Sequence, residues 1–307
     1  MNNKLTIDKK IKYALIVDGI LLGIVILGLI FSPGNRSRQG YQKTLITLDS
    51  IQEIKYSGGM LLNIKKQGAD WIYERNGRAL PVNAGRVDAF IKNITKPAKL
   101  VPVGRTQDAI KTYKLTEEDR ILVELSNASK MQSFYLSPIM DAGVCYIMFI
   151  GNTTVYKAET SAASYLMGSD TDWLDLKVLT NISVKDVQRF SIQGKLDKET
   201  IQGAFVRNAE GWKYENMPDV TVSRVEGWLY SIVSFSAQNY METLTLSNQK
   251  ESVLITLELG NGTTKHMRFY TIENSKDFIV YSSDRLYPMQ CSQYQVENLL
   301  KTLDELK

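Results

Sequence analysis

The chain is poor in the residues that build disulfide frameworks and metal centres. Its 307 residues include two cysteines, Cys145 and Cys291, and a single histidine, His266. Two cysteines exclude a disulfide scaffold and an all-cysteine zinc site. One histidine excludes most zinc chemistry and any histidine-based triad that does not use it. We therefore expect no metal site, no cofactor and no catalytic residue set.

Strong charge of either sign is also missing from most of the chain. The formal net charge is +4, but residues 1–43 hold seven basic side chains against Asp8 and Asp18. The rest of the chain therefore carries a net charge of about −1. Nucleic-acid binding requires a basic face, so this near-neutral part argues against a nucleic-acid partner.

One long apolar run is present, close to the N-terminus. Four lysines, the last of them Lys12, precede an almost unbroken apolar segment from Tyr13 to Phe31. As an α-helix this segment would reach about 28 Å, close to the thickness of the bilayer hydrocarbon core. We therefore predict a transmembrane helix that contacts the lipid bilayer. The lysines favour a single-pass protein of the cytoplasmic membrane with its N-terminus inside and its C-terminal domains outside.

Asp18 interrupts this apolar segment and leaves a second interpretation open. An apolar stretch starting at Gly19 would be too short to span and would fit a signal-peptide core. The following Phe31-Ser32-Pro33-Gly34 does not match a small-residue cleavage site, which favours an uncleaved anchor. Asp18 either reaches the headgroup region or pairs with a polar or basic group on a partner's membrane helix, because an unpaired buried carboxylate is costly.

The remaining chain contains a sequence repeat with an offset of about 140 residues. Trp71-Ile72-Tyr73-Glu74 recurs as Trp212-Lys213-Tyr214-Glu215, and both copies continue into the pattern R-V-[DE]-x-[FW]-[IL]-x-x-I. Apolar spacing of i, i+3, i+4 and i+7 predicts one amphipathic helix in each copy, with Asn83 and Ser223 as N-caps. We expect the repeat core, rather than a recognition surface, to contain Trp71, Trp212, Phe90 and Trp228.

Alternating apolar and polar residues flank these helices, and glycine-containing turns separate the runs. This pattern predicts antiparallel strands, and a further helix closes each copy at Ala158–Leu166 and Gln293–Leu306. The predicted fold class is α+β, with an N-terminal transmembrane helix followed by two duplicated domains of antiparallel sheet plus helix.

The domain boundaries follow from these patterns and from composition. A stretch rich in glycine, serine, arginine and asparagine indicates a linker, and an acidic cluster at Asp170, Asp172 and Asp175 indicates a polar connector rather than a calcium loop. We divide the chain into a cytoplasmic tail (1–12), a transmembrane helix (13–31), a linker (32–44), a first α+β repeat (45–168), a connector (169–182) and a second α+β repeat (183–307).

The repeat resembles a known family. The single N-terminal span, the strand pair leading to W-x-Y, the helical stripe and Tyr113-Lys114-Leu115 before a strand are similar to the bacterial membrane-anchored family called domain of unknown function 4340. Members commonly have glycine where this chain has Lys114. The resemblance implies an envelope protein, often encoded beside ABC-type transport components similar to the gliding-motility export system. It implies no catalytic residues.

The isolated reactive residues have structural interpretations. His266 lies in an alternating run and is expected to be an ordinary strand residue. Cys145 and Cys291 are either bridged, in an oxidising compartment, or two buried free thiols. Glu117-Glu118-Asp119 is expected to form a charged turn.

Two classes of function remain. The first is a non-enzymatic envelope protein that binds protein partners, the subunits of an ABC-type transport or export system, with Asp18 as a contact inside the membrane. The second is an extracytoplasmic hydrolase that uses carboxylates in the cleft between the repeats, since carboxylates are abundant in the sequence.

Overall fold

The computed structural model describes residues 20–22, 40–58, 60–141, 143–194, 196, 202–215, 220–242 and 250–307. The chain forms two compact units. The first contains residues up to Tyr73 together with Ala84–Asp170, and the second contains Glu74–Asn83 together with Thr171–Lys307. The second unit is therefore assembled from two separate pieces of the chain.

The predicted membrane anchor, Tyr13–Phe31, lies outside the described residues except for residues 20–22, and Asp18 lies outside them as well. In the portion of the chain that is described, no helix combines the length and the apolar character needed to cross a membrane.

The larger of two sheets contains ten strands among the described residues. In chain order they are β1 (Tyr41–Thr44), β2 (Glu53–Gly58), β3 (Met60–Gln67), β4 (Asp70–Arg75), β5 (Arg78–Pro81), β6 (Pro97–Gly104), β7 (Ile121–Ser126), β8 (Met131–Asp141), β9 (Val144–Phe149) and β10 (Val155–Glu159). Their order across the sheet is β1-β6-β10-β9-β8-β7-β2-β3-β4-β5. The helices of this half are α1 (Ala84–Ile94), α2 (Gln107–Thr112) and α3 (Ala162–Leu166), followed by a 3₁₀ turn at Asp170–Trp173.

The smaller sheet contains eight described strands. They are β11 (Val187–Gly194), β12 (Gly203–Asn208), β13 (Gly211–Tyr214), β14 (Asn239–Tyr240), β15 (Lys250–Leu259), β16 (Thr264–Thr271), β17 (Phe278–Ser282) and β18 (Met289–Cys291). Their order is β13-β12-β11-β15-β16-β17-β18-β14. A 3₁₀ turn at Val184–Asp186 precedes them, and the helices are α4 (Val222–Val233), α5 (Gln293–Leu299) and α6 (Leu303–Leu306).

The two sheets share one strand order. From β6 to β4 the larger sheet runs β6-β10-β9-β8-β7-β2-β3-β4, and from β14 to β13 the smaller runs β14-β18-β17-β16-β15-β11-β12-β13. Each strand holds the same place in chain order as its counterpart, and the pairings with a defined register are antiparallel, as for β2 with β7 and β11 with β15. The predicted α+β class, with two antiparallel sheets and accompanying helices, is confirmed.

Helices α1 and α4 bury the apolar stripe that the sequence pattern assigned to them. The spacing places one side chain per turn on the same helix face, so the stripe packs inward while the other faces stay polar. The indole Nε1 of Trp228 donates a hydrogen bond to the Leu299 carbonyl at 2.7 Å. The corresponding buried residues are Val87, Phe90 and Ile94 in α1 and Val225, Trp228 and Ile232 in α4.

The W-x-Y segments form β4 and β13 and make the same contact in each unit. Trp71 and Trp212 are 6% and 4% exposed. The Tyr73 hydroxyl lies 3.1 Å from both the Leu61 carbonyl and the Asp170 carboxylate, which share its one proton, and the Tyr214 hydroxyl donates to the Gln202 carbonyl at 2.6 Å. In both cases the bond reaches back twelve residues across a hairpin, to the start of the preceding strand. A buried tyrosine hydroxyl needs such a partner.

Three details of the predicted helices are wrong. Helix α4 begins at Val222, so Ser223 lies inside it, and the preceding Thr221 uses its hydroxyl to donate to the Lys307 carbonyl at 2.6 Å. The helix predicted from Ala158 begins only at Ala162, because β10 extends to Glu159. The helix predicted over Gln293–Leu306 is divided into α5 and α6. Thr302 starts a new capping box with Glu305, whose carboxylate accepts the Thr302 amide at 2.8 Å, and this ends the first helix early.

Candidate functional site

Helix α2 is a short helix with a well-defined beginning and end. At its N-terminus the Thr106 hydroxyl accepts a hydrogen bond from the Ala109 amide at 3.2 Å. At its C-terminus the Leu115 amide donates to the Ile110 carbonyl at 2.9 Å, and the Lys114 amide donates to the Lys111 carbonyl at 3.1 Å. These two bonds define a Schellman motif, which requires a left-handed residue after the helix. Lys114 occupies that position with φ +50°.

The Schellman turn directs two apolar side chains onto the larger sheet. Ile110 and Leu115, the residues that this motif brings together, are buried with Met148 of β9 and Val155 of β10. Met148 and its neighbour Ile147 are both buried, although successive strand residues point to opposite faces. The α2 segment therefore covers a second apolar cluster, on the sheet face that Ile147 does not use.

An open groove of about 560 Å³ lies beside this cluster. Its volume is within the range of small-molecule sites in proteins. The apolar side chains in its lining, Ile110, Leu115 and Met148, are 7%, 0% and 5% exposed, so most of the accessible lining belongs to the other side chains. The lining residues are Gln107, Ile110, Leu115, Thr116, Glu117, Arg120, Tyr135, Met148, Gly151, Asn152 and Thr153.

The lining of the groove includes one positively charged side chain, Arg120, and one negatively charged side chain, Glu117. The Arg120 guanidinium carbon lies 3.8 Å from the centroid of the Tyr135 ring, a cation–π contact that fixes its position. Arg120 Nη2 is 3.3 Å from Glu117 Oε1, but the Glu117 side chain is 87% exposed while that of Arg120 is 23% exposed. Exposed ion pairs contribute little, so Arg120 is held mainly by Tyr135.

The lining residues offer amide, hydroxyl and guanidinium donors, together with a single carboxylate that is already hydrogen-bonded to Arg120. General acid–base catalysis needs a positioned titratable group aimed at a reacting atom. The exposed Glu117 side chain is not held in that way.

The four residues predicted as repeat core lie elsewhere. Trp71 and Trp212 are buried in the hairpin strands, and Phe90 and Trp228 are buried on α1 and α4 at 0% and 3% exposure. None of them lines the groove.

Both cysteines are free and buried. Burial raises the pKa of the Cys145 thiol to about 12. Burial, with a further contribution from the negative charge of Asp277, raises the pKa of Cys291 to about 12 as well. The thiolate is the reactive form, so neither side chain is a nucleophile at neutral pH. Of the two alternatives left open by the sequence, the structure has the free thiols.

A buried ion pair lies next to His266 in the second unit. The Lys265 ammonium donates to the Asp284 carboxylate at 2.7 Å, and both side chains are 12% exposed. The Thr180 amide donates to the same carboxylate oxygen at 2.7 Å. Burial alone would raise the pKa of Asp284, but the hydrogen bonds from Lys265 and Thr180 outweigh it and the pKa is lowered. The Lys265 ammonium has three donors, and two of them have partners within the unit, the Asp284 carboxylate and the Thr180 carbonyl, which is typical of a structural pair.

The acidic cluster of the predicted connector is divided between hydrogen-bonding partners. Asp170 accepts from the Tyr73 hydroxyl at 3.1 Å, and Asp175 pairs with Arg285 at 2.7 Å. Among the described residues, no group of three or more histidine, cysteine, aspartate or glutamate side chains is arranged to hold a metal ion.

The groove residues were missed at the sequence level. Arg120 lies at the end of the charged turn, while Tyr135 and Met148 come from β8 and β9. Only the strand register brings these three segments to one face of the sheet. The single signal was Tyr113-Lys114-Leu115, which marked a turn but not the groove beside it.

The two sheets and their helices define a two-sheet α+β protein. Within this class, the family described as Domain of unknown function (DUF4340) matches residues 71–252, more than half of the chain. The chain belongs to this family, as the resemblance in its sequence predicted. Searches of curated proteins and of solved structures found no significant match.

Proposed function

We propose that this chain is a non-enzymatic, single-span protein of the bacterial envelope whose duplicated domain binds protein partners. The observation that carries the proposal is the groove of the first unit, which presents the Arg120 guanidinium, held by the Tyr135 ring, among polar side chains. Such a surface recognises a partner by shape and by a small number of directed hydrogen bonds.

The common strand order of the two sheets supports a duplication. The matched buried residues of α1 and α4 and the two matching tyrosine hydrogen bonds support it independently. A duplicated domain presents two related surfaces from one polypeptide.

The sequence supports a location in the cytoplasmic membrane. Four lysines before Tyr13–Phe31 favour an anchor in the cytoplasmic membrane with the domains outside. An anchor confines the protein to two dimensions and raises its effective concentration near membrane partners. The family resemblance favours subunits of an ABC-type transport or export system as the partners. Asp18 is the proposed contact within the membrane.

Co-purification of the full-length chain tests this function. Tagged protein solubilised from membranes is expected to recover transport permease subunits, and Asp18→Leu is expected to reduce that recovery, because the carboxylate no longer pairs with a polar or basic group on the partner. Val17→Leu serves as the matched control within the same segment and should recover the subunits as the unmodified chain does.

Recovery of no membrane subunit would contradict the proposal. If, in addition, the purified chain showed hydrolytic turnover in proportion to its concentration, the hydrolase alternative would be favoured. Protease added to spheroplasts tests the membrane topology separately, since it should digest C-terminal domains that lie outside the cytoplasmic membrane.

A further inference from the structure

An aromatic cluster joins the edge of the larger sheet to the end of β9. β1 is the edge strand of this sheet and lies outside the strand order that the two sheets share. The Tyr41 ring lies edge-on to the Tyr156 ring with the centroids 6.1 Å apart, and Tyr156 lies edge-on to Phe149 at 5.7 Å. The Lys43 ammonium lies 3.9 Å from the centroid of the Phe149 ring.

Part of this cluster is open to solvent. Tyr41 is 43% exposed, and Ile150, the residue after Phe149, is 47% exposed. The Lys43 side chain is exposed as well, and within the described chain its ammonium has only the Phe149 ring as a partner. Its N–H donors therefore remain for an external acceptor. We call Tyr41, Lys43, Phe149 and Ile150 the rim patch, and none of them lines the groove.

The rim patch lies close to the predicted anchor along the chain. Tyr41 follows Phe31, the last residue of that anchor, by ten residues, so the two are at most about 33–36 Å apart. The sequence of residues 32–48 contains three basic side chains and no acidic one, the basic ones being Arg36, Arg38 and Lys43. The chain between the anchor and the first unit is therefore positively charged.

The side chains of the rim patch are those that favour the boundary between a membrane and water. Tyrosine has an apolar body and a polar tip, and it is enriched at the level of the lipid headgroups. Lysine can lay its aliphatic stem along apolar surface and keep its ammonium at the level of the phosphates. An anionic lipid surface strengthens binding by about fivefold for each lysine close to it.

We propose that the rim patch is a membrane-contact surface that rests on anionic phospholipid headgroups. The Lys43 ammonium binds lipid phosphates there, and Tyr41 and Ile150 lie among the headgroups. This proposal rests on the anchor of the proposed function, and it adds an orientation, in which the β1 edge of the first unit faces the bilayer.

Paramagnetic broadening from the lipid surface tests this contact. The full-length chain, labelled with ¹³C at isoleucine and leucine methyl groups, is placed in nanodiscs that contain a lipid with a gadolinium chelate on its headgroup. Ile150 is assigned with Ile150→Val. The exposed Leu61 of β3, four strands away from β9 in the sheet, is assigned with Leu61→Met and serves as the internal reference. In nanodiscs rich in phosphatidylglycerol, Ile150 is expected to broaden several-fold more than Leu61, because the broadening falls steeply with distance.

Lys43→Gln tests the role of the charge. It is expected to reduce the broadening of Ile150 in phosphatidylglycerol nanodiscs by about two- to fivefold, and to change it little in phosphatidylcholine nanodiscs. Lys99→Gln is the matched control on the neighbouring strand β6. Lys99 is paired in register with Gln42, so it points to the sheet face opposite to that of Lys43, and it forms an ion pair with Glu159 at 3.3 Å. Its replacement should leave the broadening of Ile150 unchanged.

Equal broadening of Ile150 and Leu61 would overturn the proposal, and so would the same Ile150 broadening in both lipids. Extraction of cell membranes with alkaline carbonate separates this failure from that of the anchor. A chain that stays in the membrane without preferential Ile150 broadening contradicts the membrane-contact surface alone, whereas a chain that is extracted contradicts the anchor. Each variant is first checked for an unchanged methyl spectrum without gadolinium. The comparison of the two lipids uses the unmodified chain, so it decides the matter even if Lys43→Gln does not fold.

Discussion

Replacing Lys114 by glycine should stabilise the first unit. Lys114 is the left-handed residue of the Schellman motif, with φ +50°. The left-handed conformation costs a residue with a Cβ about 1–2 kcal/mol, and this steric cost is absent for glycine. Glycine in turn loses about 0.4–1 kcal/mol more conformational entropy on folding. The balance is a gain of about 0.5–1 kcal/mol in the free energy of unfolding.

The two buried thiols provide an assay that separates the units. Cys145 lies in the first unit and Cys291 in the second, and both are almost inaccessible in the native state. Pulsed labelling with a thiol reagent at increasing urea, read by mass spectrometry, therefore gives one unfolding midpoint for each unit. Lys114→Gly should raise the midpoint of Cys145 labelling and leave that of Cys291 unchanged.

Lys114→Ala is the matched control, because it removes the lysine side chain but keeps the Cβ. Its midpoint for Cys145 should remain close to that of the unmodified chain. An equal rise in both variants would show that the lysine side chain, rather than the left-handed backbone, is unfavourable. A lower midpoint in Lys114→Gly would refute the reasoning altogether.

Four further substitutions are expected to alter stability in defined directions. Gly227→Ala should raise the free energy of unfolding in urea by about 0.5–1 kcal/mol, because the position is helical and a Cβ there meets no atom within 4 Å. A lower free energy of unfolding would contradict this prediction. Trp71→Ala and Trp212→Ala should each cost about 3–5 kcal/mol in thermal or urea unfolding, and a stable variant that lost only binding would contradict a core role. Asp284→Asn should cost about 1–3 kcal/mol at pH 7 by leaving Lys265 poorly paired. The pKa of Asp284 is lowered in the native state, so its carboxylate stabilises the folded protein above the ordinary carboxyl pKa. This stabilisation is lost as the pH falls through the lowered pKa. Asp284→Asn should therefore lose less stability between pH 7 and pH 3 than the unmodified chain.

Periodicity predicted the parts of the fold that depend on one face of one element. The helical stripe located α1 and α4, because burial of one face imposes a 3.6-residue period on the sequence. The alternating runs predicted antiparallel strands for the same reason, with a period of two.

Features that depend on long-range pairing left no such signal. The place of β7 beside β2 is set by contacts across about 70 residues, and no local pattern records it. The groove is of this kind, since Arg120, Tyr135 and Met148 meet only when the register of the sheet is fixed. The early end of α5 was missed for a different reason, because the apolar period continues past the competing cap at Thr302.

The discontinuity of the second unit has a consequence for biosynthesis. Glu74–Asn83 leaves the ribosome about ninety residues before Thr171, the start of the rest of its unit. Val82 is buried and forms a β-bridge with Leu174, so at about 5–20 residues per second it is synthesised roughly 4–18 s before this partner. The second unit therefore cannot begin to assemble from its complete set of residues until the first has been synthesised, and a fragment starting at Thr171 would lack part of its own interior.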